Sequence, residues 1–202
     1  MSQTIGADKI TEIKIKSFLP LSKKRYVAMF IVLLMMFFFS VFINIVYHNS
    51  IIENLKLLTL LAILFPAAYM DWREHIISNK LILIAICVRA ALFIVELISS
   101  TESALSGIYS ALIAAGVIFV IGFLFSLLTK GGIGMGDVKL LAVMALYQGA
   151  TGIICSLLVS LIVAFFYCIF ALITKKVKKN DIIPFAPFLL GGTYLSMLLF
   201  GL

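Results

Sequence analysis

The feature that most limits the fold of this chain is a series of long apolar runs. The clearest is Tyr26–Tyr47, with Ser40 and Asn44 as its main polar interruptions. A helix needs about 20 mostly apolar residues to cross a bilayer, and this run is long enough. Because no small-residue cleavage pattern follows it, we interpret it as a retained membrane helix rather than a signal peptide.

Six further runs share this character, and together they predict an all-α, polytopic membrane helix bundle with about seven transmembrane helices. The other predicted spans are Leu55–Met70, Leu81–Ser99, Ala104–Leu128, Val138–Gly149, Gly152–Thr174 and Pro184–Leu202. The chain is 63% hydrophobic and 12% charged, whereas soluble domains are about 45–50% apolar and about 25% charged. This composition excludes an ordinary soluble domain, a nucleic-acid-binding module and a disordered protein.

The basic residues predict an orientation. If the N-terminus is cytoplasmic, 14 of the 16 Lys and Arg residues fall in the cytoplasmic segments 1–25, 71–80, 129–139 and 175–183. Loops on the cytoplasmic side carry an excess of Lys and Arg, so this orientation is favoured over its reverse. The net charge of +7 therefore needs no polyanionic partner, and we expect the lipid bilayer, not nucleic acid, to surround the chain.

The cysteines and the pair Arg89 and Glu96 give little indication of a further chemical function. The cysteines Cys87, Cys155 and Cys168 form no C-x-x-C pair, which argues against a zinc site or a disulfide framework. We expect no metal and no cofactor. Arg89 and Glu96 are seven residues apart and share one helix face; either a structural ion pair or a polar pathway through the bundle fits this spacing.

Asp71 and Asp137 differ from the other acidic residues because each lies where a short apolar span meets the predicted cytoplasmic side. Leu55–Met70 and Val138–Gly149 would be about 24 Å and about 18 Å long as helices, against a hydrocarbon core of about 30 Å. We therefore expect both carboxylates to be recessed below the interface. Four glycines in residues 131–136 precede Asp137 and allow a close backbone approach.

Two recessed carboxylates suggest aspartic-protease chemistry, in which a close pair shares one proton. The ionised member takes a proton from water and the protonated member donates to the substrate carbonyl. A helix N-cap role is the alternative for Asp137. For Asp71, near a helix C-terminus, the macrodipole disfavours an anion, so a purely structural role is less expected. A small proton-coupled transporter and an inert membrane scaffold remain open as whole-protein alternatives.

Three stretches of the chain resemble sequence motifs of a known protein family. The first is Asp71-Trp72-Arg73-Glu74-His75-Ile76-Ile77-Ser78-Asn79-Lys80-Leu81, the second is the G-x-G-D of Gly134–Asp137 with Val-Lys-Leu after it, and the third is Pro184-Phe185-Ala186-Pro187. Together they resemble the type IV prepilin peptidases and preflagellin peptidases, which are membrane aspartic proteases. Ser78 stands where that family has Pro, and Ala186 where it has Gly.

The resemblance implies a role for each matching residue. Asp71 and Asp137 would be the catalytic pair, and Gly134 and Gly136 would shape the active-site loop. The residues expected in substrate binding or at the rim are Arg73, Glu74, Asn79, Lys139, Pro184, Phe185 and Pro187. The match covers about 55–202, which leaves 1–25 as a basic cytoplasmic tail and 26–47 as an additional N-terminal helix.

The resemblance also implies an activity and a location. The protein would remove the basic leader peptide from prepilin-like precursors at the cytoplasmic face of a prokaryotic cytoplasmic membrane. Methylating members of the family carry paired C-x-x-C motifs that this sequence lacks, so we expect cleavage without methylation. A presenilin-type protease shares the G-x-G-D motif and is an alternative. The sequence does not indicate the oligomeric state or which pilin is cut.

Overall fold

The computed structural model is all-helical over the residues that it describes, which are 35, 38, 41, 42, 47, 50–99, 101–129, 134–174 and 183–201, the side chains of 101–103 excepted. The chain divides into two units, Met1–Phe37 and Phe38–Leu202, and every described residue except Met35 lies in the second. The helices are α1 Ile51–Glu74, α2 Asn79–Ser99, α3 Thr101–Leu128, α4 Met135–Ile173 and α5 Ala186–Phe200. Of these, α1 to α4 are long and apolar enough to cross a membrane, and α5 is shorter.

The predicted count of seven transmembrane helices is not supported, because the described part of the chain contains five helices. The tail 1–25 lies outside the described residues, as does Tyr26–Tyr47 apart from a few positions. The predicted spans Val138–Gly149 and Gly152–Thr174 correspond to two helical arms, which together make up α4. They are joined through Gly149, whose φ of 68° and ψ of −172° are not helical. A residue without a Cβ adopts this conformation readily, so the chain kinks here instead of ending the helix in a loop.

The kink at Gly149 turns the second arm of α4 (150–173) back along the first arm (135–148). Gln148 Nε2 donates a hydrogen bond of 2.7 Å to Ser156 Oγ, although residues eight apart in a straight helix are separated by a rise of about 12 Å. The rings of Tyr167 and Phe188 pack with centroids 5.1 Å apart. The far part of the second arm therefore lies beside the first turn of α5.

α1 begins with a capping box in which the Ser50 hydroxyl accepts from the Glu53 amide and the Glu53 carboxylate accepts from the Ser50 amide, both at 3.2 Å. It runs for 24 residues, or about 36 Å. The expectation that this helix is too short to span the hydrocarbon core is therefore wrong. The capping box adds a turn before the apolar run, and polar residues continue the helix past Met70.

Hydrogen bonds join the first arm of α4 to α2 near both ends of the arm. Lys139 Nζ donates to Asn79 Oδ1 at 2.9 Å, and Tyr147 Oη donates to the Ala85 carbonyl at 2.9 Å. Each contact joins residues about 60 positions apart in the chain. They fix the arm that carries Asp137 against a second helix.

Small residues set the distance between α5 and the second arm of α4. Ser156, Ser160, Thr193 and Ser196 have no exposed surface, and a Cβ on Gly192 would overlap Ser160. Small side chains let the backbones of two membrane helices approach closely. This packing places the start of α5 next to the end of α1.

Candidate active site

Asp71 and Asp137 line one cavity of about 230 Å³ at the junction of α1 and α4. The remaining lining comes from the loop after α1 and the start of α4, namely His75, Ile76, Ile77, Gly134, Met135 and Gly136. The two aspartates are 66 residues apart in sequence, and the fold brings them to one site.

Asp71 lies in the last turn of α1 and is 5% exposed. Its Oδ2 accepts a buried hydrogen bond of 2.8 Å from the amide of Ala186, the first residue of α5. The helix ends at His75, whose φ of 52° is left-handed and whose amide donates to the Asp71 carbonyl. Asp71 is therefore buried by the packing of α5 against the end of α1, not by a short helix.

Asp137 is the third residue of α4, and the N-cap position belongs to Gly134. The N-cap interpretation of Asp137 is therefore wrong, since Gly134 occupies that position. Its Oδ1 is buried and has no hydrogen-bond partner. Buried polar atoms are nearly always satisfied, so an unpaired carboxylate oxygen that borders a cavity needs an explanation.

The two motif glycines are required for different reasons. A Cβ on Gly134 would lie 3.2 Å from Oδ2 of Asp137, and a Cβ on Gly136 would lie 3.1 Å from Cβ of Ile77. Gly134 therefore leaves room for the carboxylate, and Gly136 lets the loop after α1 approach the start of α4.

The other predicted rim residues fall into three groups. Asn79 and Lys139 bond to each other beside the cavity. Arg73 and Glu74 are exposed, and Arg73 donates to the Tyr69 hydroxyl at 3.2 Å. Pro184, Phe185 and Pro187 surround the start of α5, with Phe185 at its N-cap. Neither Arg73 nor Glu74 is among the described residues that line the cavity.

Ser78 has a structural role where the family resemblance expects Pro. Its hydroxyl accepts from the Lys80 amide at 3.3 Å, and its carbonyl accepts from Leu81 and Ile82. These contacts cap the start of α2. Proline has no hydroxyl, so the start of α2 is capped here by a side-chain hydrogen bond that a proline could not make.

Sequence reasoning missed several residues of the site. The cavity is also lined by His75, Ile76, Ile77 and Met135. They lie within two of the stretches that carry the resemblance, but the sequence predicts no role for them. The contribution of Ala186 is a backbone N–H. Every residue type except proline has this group, so only its place between two prolines could have drawn attention to it.

A second polar cavity, of about 460 Å³, lies at the kink end of the first α4 arm. Arg89 and Glu96 form a two-pronged ion pair with both N···O distances at 3.2 Å, and Lys56 approaches Glu96 at 3.4 Å. Arg89 Nε also donates to the Leu146 carbonyl at 2.8 Å. Arg89 and Glu96 thus form an ion pair, and Arg89 in addition satisfies a carbonyl beside the Gly149 kink.

The fold and the aspartate cavity define a helical membrane protein in which two aspartates from separate helices line one cavity. The chain belongs to the type IV leader peptidase family, whose model matches residues 58–169, more than half of the chain. This range contains both Asp71 and Asp137. The family resemblance read from the three motifs is thus confirmed, and the protein is assigned to a peptidase family.

One relative is the "Prepilin leader peptidase/N-methyltransferase" of Bacillus subtilis (strain 168), which is 28% identical over 147 residues. The match covers 73% of this chain and 56% of the relative, so the chain spans little more than half of that protein. No solved structure matches the chain. Membership of the family and several apolar helices together indicate a multi-pass membrane protein.

Proposed function

We propose that this protein is a membrane-embedded aspartic endopeptidase that removes the basic leader peptide from type IV prepilin-like or preflagellin-like precursors. The observation that carries the proposal is that Asp71 and Asp137, from different helices, line one cavity. Family membership supports leader-peptide cleavage, and the two carboxylates that line the cavity supply groups able to perform it.

The chemistry requires only the two carboxylates and water. One carboxylate takes a proton from the water molecule while the water oxygen bonds to the carbonyl carbon of the scissile peptide. The other carboxyl donates its proton to the carbonyl oxygen, and a tetrahedral diol results. When the C–N bond breaks, the first carboxyl gives its proton to the departing amine and the second recovers a proton from the diol. Both groups then return to their starting states.

The predicted orientation supports a cytoplasmic site. A basic leader precedes the hydrophobic helix of the substrate, so cleavage occurs where that helix meets the cytoplasm. The segments predicted to be cytoplasmic by their Lys and Arg content include 71–80 and 129–139, next to both aspartates. We infer that the aspartate cavity opens toward this side.

Purified protein in detergent or liposomes, incubated with a prepilin-like precursor, tests the activity. We expect a shortened precursor, and N-terminal sequencing should locate the cut after the basic leader. A precursor whose leader lysines and arginines are replaced is the matched control substrate. Proton transport without cleavage would instead support the transporter alternative.

We also propose that the protein cleaves without methylating the new N-terminus. Its three cysteines form no C-x-x-C motif, whereas the family resemblance implies that methylating members carry paired C-x-x-C motifs. Mass spectrometry of the product formed with S-adenosylmethionine present checks this. A product heavier by one methyl group, made by this protein alone, contradicts the proposal.

Cysteine accessibility tests the orientation with a matched pair of positions on α1. Ile51 and Ile76 flank the helix and are 83% and 66% exposed. In a background without the three native cysteines, an impermeant reagent added to cells should label Ile51→Cys and not Ile76→Cys. The reverse pattern would overturn the orientation.

A further inference from the structure

The two aspartates of the cavity have different hydrogen-bonding environments. Asp71 is held by the Ala186 amide at 2.8 Å, whereas Oδ1 of Asp137 is buried without a partner. His75 is the other titratable residue among those that line the cavity, and it is exposed. Among the described residues that line the cavity, these contacts distinguish the two carboxyls.

The sequence at the start of α5 directs one amide toward Asp71. Pro187, the second residue of the helix, has no N–H, and the amides of Phe188 and Leu189 both donate to the Phe185 carbonyl. Among the first four residues of α5, only the Ala186 amide bonds outside the helix. Ala186 therefore supplies the amide of this first turn that bonds outside the helix, and the small-residue packing of α5 fixes where it points.

This donor favours a negative charge on Asp71. A hydrogen bond from an N–H to an ionised carboxylate is about twice as strong as one between neutral groups, and the amides at a helix N-terminus suit an anion. Asp137 also lies in a first helical turn, but its buried Oδ1 accepts no hydrogen bond there. Asp71 lies near the C-terminus of α1, where the macrodipole disfavours an anion, but a macrodipole acts more weakly than a direct charge-assisted bond.

We propose that the backbone amide of Ala186 is a positioning group that holds Asp71 as the carboxylate that accepts the proton from water, so that Asp137 carries the proton given to the substrate carbonyl. The inference rests on the proposed peptidase function and divides its two chemical roles. The water oxygen bonds to the peptide carbon, its proton moves to Asp71, and the proton of Asp137 moves to the carbonyl oxygen. On C–N cleavage, Asp71 protonates the amine and Asp137 recovers its proton from the diol.

Replacing one amide by an ester tests the positioning role. Lactic acid in place of Ala186 removes the N–H that Asp71 accepts and keeps the side chain. The matched control is the ester at Leu189, which removes the N–H bonded to Phe185 within the same turn. Ala186→Gly keeps the amide and is a second control. We expect the ester at 186 to lower kcat about tenfold or more with little change in KM, as a misplaced catalytic group would.

The outcomes separate this inference from the function on which it rests. If the unmodified protein does not cleave a prepilin-like precursor, the proposed function fails. If it cleaves, and the esters at 186 and 189 have equal kcat values, the positioning role of Ala186 is wrong. A rise in KM alone would also contradict it, since the amide would then serve binding.

Infrared spectroscopy tests the division of roles without an ester. The chain has four aspartates, Asp8, Asp71, Asp137 and Asp181. In an Asp8→Asn/Asp181→Asn background, carbon-13 aspartate labels only the pair in the cavity. The C=O band of a protonated carboxyl should persist in Asp71→Asn and vanish in Asp137→Asn. The opposite result would assign the roles the other way and overturn the inference.

Discussion

A charged cluster lies near each end of the first arm of α4. The two clusters differ in how far their charged groups have hydrogen-bond or ion-pair partners. At the kink end, Arg89 bonds both oxygens of Glu96 and the Leu146 carbonyl, and Lys56 adds a second cation. At the other end, Asp137 has a buried oxygen without a partner. Charged groups that are paired rigidify a fold, whereas a buried oxygen of a carboxyl group left without a partner is unfavourable unless function retains it. The comparison indicates a structural role for the first cluster and a chemical role for the second.

The largest expected effect comes from the aspartates. Asp71→Asn and Asp137→Asn should each lower the cleavage rate by about three orders of magnitude or more, because groups that act as one unit fail together. The double variant should be no slower than either single one. Rates from a precursor cleavage assay check this, and losses that add in free energy would show that the carboxyls act separately.

At the kink end we expect a loss of stability instead. Arg89→Leu leaves the Leu146 carbonyl without its donor and Glu96 with only Lys56, and breaking a buried pair in this way costs about 3–5 kcal/mol. The rate per folded molecule should change little. Thermal unfolding in detergent measures the loss, and the double variant Arg89→Leu/Glu96→Leu should recover part of it. No recovery would mean that the ion pair does not explain the effect.

The motif glycines should show intermediate effects that differ in kind. Gly134→Ala crowds the Asp137 carboxylate and should slow cleavage about tenfold or more, as misplacement of a reacting group does. Gly136→Ala presses on Ile77 and should lower stability by about 1–3 kcal/mol, in the range of overpacking.

Gly191→Ala is the matched control for both glycine variants, because nothing lies within 4 Å of a Cβ there. Cleavage rates and unfolding temperatures of the three variants test the assignment. Equal effects at 134 and 191 would remove the steric explanation.

The smallest effect is expected at the exposed rim. Glu74→Gln should raise KM for a basic leader about two- to fivefold, since an exposed ion pair contributes at most about 1 kcal/mol. Arg73→Gln, at the neighbouring exposed position, should lower KM because it removes a like charge. Added salt should diminish both effects. A loss of kcat in Glu74→Gln would place that carboxylate in the chemistry.

The sequence predicted the helical class and the candidate pair but not the connections between helices. Apolar length identified most spans, and the three motifs identified Asp71 and Asp137. It could not reveal that Gly149 kinks a helix, because a glycine between apolar runs also fits a loop. The hydrogen bond from the Ala186 amide to Asp71 could not be predicted either, because every residue type except proline has a backbone N–H. Asp137 and Glu96 also look alike in sequence, as acids in apolar helices, and only their contacts separate them.

The most direct test compares Asp137→Asn with Glu96→Gln. Each variant replaces a carboxylate near one end of the first arm of α4 by its amide. Cleavage of a prepilin-like precursor and thermal unfolding are measured on the same preparations. We predict that Asp137→Asn abolishes cleavage and unfolds at or above the wild-type temperature, while Glu96→Gln cleaves at a near wild-type rate and unfolds at a lower temperature. An Asp137→Asn protein that cleaves normally, or a stable Glu96→Gln protein that does not cleave, would contradict the division between a chemical end and a structural end.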